Sequence, residues 1–209
     1  MQKVYTIGHS VHSIDVFLKL LNKYDINCVI DVRSTPFSKY APQYNTSEIK
    51  KTLNGYGIYY LFMGKEFGAR QTDATLYDPD GLLNFEKVIK SEQFQSGIKR
   101  VKEGLDKGFN IAFMCTEKDP IDCHRSILVG RAFHDEQFDV LNIIENGNIQ
   151  TQEELIERLL NHYFPTRDQT TLFDYIENEK KEIDLVREAY RLRNKDIAYK
   201  LEEKEAVIV

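Results

Sequence analysis

Short apolar runs alternating with segments of helical period constrain this chain more than any other feature. Lys3 to Ile7, Asn27 to Asp31, Ile58 to Leu61, Asn110 to Met114 and Asp139 to Ile144 have strand length, with helix-patterned segments between them. Two parallel strands need a crossover long enough to hold a helix, so such alternation predicts a mainly parallel sheet. The expected fold is therefore α/β: a Rossmann-like, three-layer sheet with helices on both faces, plus a helical C-terminal arm. Ser13 is placed to cap a first helix with Asp15 in its first turn, and Asn45 with Glu48 offers a capping-box-like start to a second that Gly55 and Gly57 end. Thr151 with Glu154 opens a later helix that stops before Pro165.

The length of 209 residues fits one such domain with an appendage. We expect the domain over residues 1–165 and a charged helical arm over 166–209, where Ile183, Val186, Tyr190 and Ile197 recur at helical offsets. No apolar stretch is long enough to span a bilayer, so no membrane partner is expected. The start of the chain lacks the basic and apolar regions of a secretory leader, which makes the cytoplasm the expected compartment. Three cysteines, an odd number, fit free thiols better than a disulfide framework. A net charge of -5 excludes a surface that grips nucleic acid everywhere, while leaving room for a local basic pocket.

Chemistry concentrates where the fourth run stops. Phe113-Met114-Cys115-Thr116-Glu117-Lys118-Asp119-Pro120-Ile121-Asp122-Cys123-His124-Arg125 reads as a strand end, a proline-containing loop and a helix opening near Cys123. The carboxyl ends of parallel strands are where α/β sheets bind ligands, and a helix start beside cationic side chains favours a thiolate.

This stretch does not stand alone. Thr6-Ile7-Gly8-His9-Ser10, Asp31-Val32-Arg33-Ser34-Thr35-Pro36-Phe37-Ser38, Gly57-Ile58-Tyr59-Tyr60, Phe67-Gly68-Ala69-Arg70 and Cys115 to Arg125 occur in this order. Together they resemble a widespread prokaryotic family known as domain of unknown function 488. Ala69 stands where the family pattern has a second glycine. The resemblance implies a fold and a set of candidate residues, and no settled reaction.

Reading the residues themselves, Cys123 is the candidate nucleophile and His9 a better base than the adjacent His124, since neighbours along a helix do not face each other. Asp31 and Glu117 are candidate carboxylates for acid and base work, and Cys115 joins them as a catalytic candidate. Arg33, Arg70 and Arg125, with Ser10 and His124, are candidates for binding the substrate, because guanidinium forks match phosphate oxygens. The expected partner is then an anionic small molecule or a nucleic acid, acted on without a cofactor.

Several alternatives remain open. Each arginine has a local acid available in Asp31, Glu66 or Glu117. Cys115, Cys123, His124 and His9 form a donor set that zinc accepts, although zinc loops usually space paired ligands about two to four residues apart. The separation of Cys115 from Arg125 is too long for the compact anion loop of phosphatases and rhodanese-like sulfurtransferases. A ligand-holding module in DNA maintenance is the non-catalytic alternative. Gln169-Thr170-Thr171-Leu172-Phe173 resembles the short peptide by which bacterial replication and repair proteins dock on the sliding clamp, with Gln169, Leu172 and Phe173 as contacts. Tyr40, Tyr44, Tyr59 and Tyr60 are candidates for stacking on a base.

Overall fold

The computed structural model describes residues 2–9, 12–166 and 178–201. Among these, β1 (Lys3–Gly8), β2 (Cys28–Asp31), β3 (Tyr59–Phe62), β4 (Ile111–Cys115), β5 (Asp139–Ile143) and β6 (Ile149–Thr151) form one sheet in the order β3-β2-β4-β1-β5-β6. Every neighbouring pair is parallel except β5 and β6. The helices are α1 (Ile14–Lys23), α2 (Thr46–Gly55), α3 (Gly64–Phe67), α4 (Phe85–Lys90), α5 (Glu92–Asp106), α6 (Arg131–Asp135), α7 (Gln152–Tyr163) and α8 (Asn178–Ile197).

The strands are apolar on both faces because both faces are covered. Tyr5, Ile7, Val29, Ala112, Met114 and Ile143 pack under Phe17 and Leu21 of α1 and Ile49 and Leu53 of α2. Val4, Ile30, Phe113 and Val140 point the other way, into a core with Phe94 and Ile98 of α5, Phe133 of α6, Leu155 and Leu159 of α7 and Tyr190 of α8. The three-layer α/β expectation therefore holds. β6 is an addition: its short, half-exposed run carries no periodic signal, and it pairs antiparallel at the edge.

Local chemistry sets the helix ends. Ser13 caps α1 by accepting from Val16 N, and Thr151 with Glu154 forms a complete capping box on α7. Asn45 precedes α2 but does not cap it with its side chain, because its Oδ1 accepts from the Ser38 backbone at 2.7 Å instead. The chain after Cys123 turns first through a π-helical segment, Arg125–Gly130, before continuing as α6. In α8, Tyr190 is buried and Ile183 is exposed. The segment with Gln169, Leu172 and Phe173 lies outside the described residues, as does Ser10.

Candidate functional site

The carboxyl ends of the adjacent strands β2, β4 and β1 bring the sequence candidates to one place. Gly8 ends β1 against the loop after β4, and a Cβ there would lie 1.8 Å from the Glu117 carbonyl oxygen. Only glycine allows this approach. It carries His9 to the rim, where the His9 backbone N–H donates to the Cys115 carbonyl at 3.0 Å. The His9 ring stacks on Tyr44 with centroids 4.0 Å apart, and its Nε2 faces Arg33 Nη1 at 3.1 Å. Burial, and then the Arg33 charge, lower the His9 pKa to about 3, so the ring is neutral and Nε2 accepts from the guanidinium. The proton is left on Nδ1, a buried donor with no hydrogen-bond partner among the described residues.

At the end of β2, Asp31 is fully buried and takes Arg33 in a fork: Nε to Oδ1 at 2.9 Å and Nη2 to Oδ2 at 2.6 Å. The Tyr60 hydroxyl donates to the same carboxylate at 2.8 Å, and Arg33 Nη2 also donates to the Tyr44 carbonyl at 2.7 Å. A buried guanidinium and carboxylate stay charged only when satisfied in this way. Arg33 is thus committed internally. Tyr44 and Tyr60, read from sequence as stacking surfaces, instead hold His9, Arg33 and Asp31 in place. Tyr59 packs edge-on against Phe109, and Tyr40 is left fully exposed.

Beyond β4 the two thiols meet one carboxyl oxygen. Glu117 Oε2 lies 3.0 Å from Cys123 Sγ and 3.3 Å from Cys115 Sγ. Both cysteines are buried, whereas Glu117 belongs to the exposed stretch Thr116 to Lys118 and turns its carboxyl group in onto the two sulfurs. His124 Nδ1 is 3.7 Å from Cys115 Sγ, and its Nε2 donates to the Val32 carbonyl at 2.9 Å. Arg125, with no exposed surface, donates from Nη1 to the Glu117 carbonyl at 2.5 Å and from Nη2 to the Lys118 carbonyl at 3.2 Å. Its Nε has no partner among the described residues.

These contacts divide the charge unequally. Burial alone would raise the Cys123 thiol, but a hydrogen bond from Cys115, the Arg125 charge and His124 outweigh it and hold Cys123 well below the ordinary thiol range. Burial and the neighbouring Cys123 push Cys115 well above that range. Glu117 is raised by burial and by Cys123, so its carboxyl takes a proton more readily than an ordinary carboxylate. His124 is raised because the thiolate and the Val32 carbonyl outweigh the cost of burial.

A buried polar network, with no signal in the sequence, fixes the helix that carries this loop. Asn142 Oδ1 accepts from Thr6 at 2.8 Å and from Ser126 at 2.7 Å. Gln152 Nε2 donates to the Ser126 carbonyl at 3.1 Å and to the Tyr190 hydroxyl at 2.9 Å.

Arg70 is not part of this cluster. It is exposed, and its guanidinium lies over the Tyr199 ring at 4.4 Å. A hollow of about 660 Å³ beside Asn27 and Ile58 opens at the amino ends of β2 and β3, the opposite edge from the thiols. Three side chains at the rim suit a soft metal ion: ligand atoms of Cys115, Cys123 and His124 all lie within 4.8 Å of one another. No described helix is long and apolar enough to cross a membrane. Residues 13–132 match the family model described as domain of unknown function DUF488. No curated protein and no solved structure matches the chain.

Proposed function

The chain belongs to the DUF488 family, and from that premise we propose that it is an enzyme that acts on a phosphate-bearing substrate, a nucleotide or nucleic acid, with Cys123 as nucleophile. The observation that carries this reading is the meeting of Cys123 and Cys115 on one oxygen of Glu117, with Arg125 and His124 beside them. Cys123 attacks the electrophilic atom as a thiolate, the bond to the leaving group breaks, and the Glu117 carboxyl gives up its proton to that group. Water, deprotonated by the resulting carboxylate, then cleaves the thio-linked intermediate and returns the thiolate. Cys115 stays protonated and donates a hydrogen bond throughout.

His9 takes a different part from the base expected of it. Its Nε2 is engaged by Arg33, so it serves as a neutral donor through Nδ1, the buried N–H left without a partner among the described residues. Arg33 and Arg125 are hydrogen-bonded within the protein and act by charge and by holding the loop. Arg33 and Arg125, with His124 raised by Cys123 and by the Val32 carbonyl, set positive charge beside Asp31 and Cys123, a setting that suits an anion. With a panel of nucleotides and short oligonucleotides, Cys123→Ser should reduce turnover by at least roughly a thousandfold while the melting curve stays in place. Turnover that survives this substitution would overturn the assignment.

One observation favours a second reading, a zinc centre. His124 donates Nε2–H to the Val32 carbonyl, which turns its Nδ1 toward both sulfurs, as outer carbonyls do for zinc-bound imidazole. Metal analysis of the purified protein separates the two: one zinc per chain, retained through dialysis, supports the zinc reading.

A further inference from the structure

A concave surface lies on the same rim, next to the β2 end and away from the thiols. It is a hollow of about 520 Å³ whose polar lining is Ser34, Lys65, Arg70, Gln71, Thr72 and Gln93. The turn that forms it is tightly built. The Arg70 backbone N–H donates to Ser34 Oγ at 2.8 Å, and a Cβ at Gly68 would lie 2.5 Å from that oxygen. Gln71 Nε2 folds back onto the Gly68 carbonyl at 2.7 Å, and Gln93 donates to the Lys65 carbonyl.

The charge inside the hollow is unbalanced. Both Lys65 and Arg70 line it, and neither has a carboxylate partner among the described residues. This sets Arg70 apart, because most described arginines sit against an acid on a chain with 33 acidic and 28 basic residues. Arg70 is also held ready. The Tyr199 ring supports its flat face at 4.4 Å, and the Tyr199 carbonyl is tied to Leu83 N at 3.0 Å, so the segment after α8 fixes the arginine from behind. A guanidinium stacked in this way still presents its edge donors, which match two oxygens of a phosphate, and the lysine adds a point charge. Ser34 follows directly on Arg33, which links the hollow to the Asp31–Arg33 pair.

We propose that Lys65 and Arg70 form a phosphate subsite that grips a phosphate monoester group of the substrate at a distance from the reacting bond. This rests on the reading of a phosphate-bearing substrate given above. Its chemistry is shared by free phosphate and by a nucleotide, and the test separates them.

Calorimetric titration of the full chain would use inorganic phosphate, a nucleoside monophosphate and the corresponding unphosphorylated nucleoside. Saturable binding of the first two and none of the third is expected. Tighter binding of the nucleotide than of phosphate assigns further contacts to sugar and base, and equal binding assigns the hollow to phosphate alone. A Lys65→Ala/Arg70→Ala double variant should weaken phosphate binding by about tenfold per cation lost, whereas the Lys65→Arg/Arg70→Lys swap should retain most of it. Unchanged affinity in the double variant, checked for folding by its melting curve, would overturn the subsite, as would nucleoside binding as tightly as its phosphate. Cys123→Ser should bind phosphate normally. Loss of the subsite with Cys123 chemistry intact, or the reverse, therefore tells the two claims apart.

Discussion

His9 is 1% exposed, stacked on Tyr44 and faced by the Arg33 guanidinium. Burial strips a protonated ring of its water, and the Arg33 charge then opposes it, which is why its pKa falls to about 3 from an ordinary 6.5. The unfolded chain then binds a proton between those values that the folded chain refuses. Stability from this residue is complete above the unfolded pKa and declines as pH falls toward the folded one, by at most about 1.4 kcal/mol per unit. Urea denaturation at a series of pH values should show this slope, and His9→Gln should flatten it. Parallel slopes for the two proteins would show that His9 does not resist protonation.

At the scale of elements, the decisive contact is β1 against the loop after β4. Gly8→Ala would drive a methyl group into the Glu117 carbonyl, the acceptor of Arg125 Nη1. The loop must move, at a cost of about 1–3 kcal/mol, and the thiols should lose their setting with it. A lower melting temperature together with altered reactivity of Cys123 is the expected outcome; wild-type values of both would contradict it. The strand ends were legible in the sequence because each apolar run stops abruptly, and the caps at Ser13 and Thr151 were legible because their partners sit at fixed spacing. β6 was not, since three half-exposed residues make no pattern. Nor was the π-helical turn at Arg125–Gly130, because Ile127 to Val129 satisfy helical spacing whichever carbonyl each N–H reaches. The sequence named Arg33 and Arg125 as candidates but could not show that their donors are largely spent on Asp31, Tyr44 and the Glu117 and Lys118 carbonyls. Pairing depends on distance, and residue type carries none.

Across the whole molecule, three layers press one buried cluster against the carboxyl edge of the sheet. β2, β4 and β1 each deliver part of it, and helices on both faces keep it dry. Burial acts on all three cysteines, and what offsets it separates them. Burial without compensation pushes Cys28 up to about 11, and Cys115 is likewise held as a thiol, while Arg125 and His124 favour charge on Cys123. A nucleophilic Cys123 is tested by brief iodoacetamide labelling of the native protein at about pH 7, with the modified residue mapped by mass spectrometry. Modification of Cys123 ahead of Cys115 and Cys28 is predicted. Labelling of Cys115 or Cys28 as fast as Cys123, or protection of all three until a chelator removes bound zinc, would contradict it.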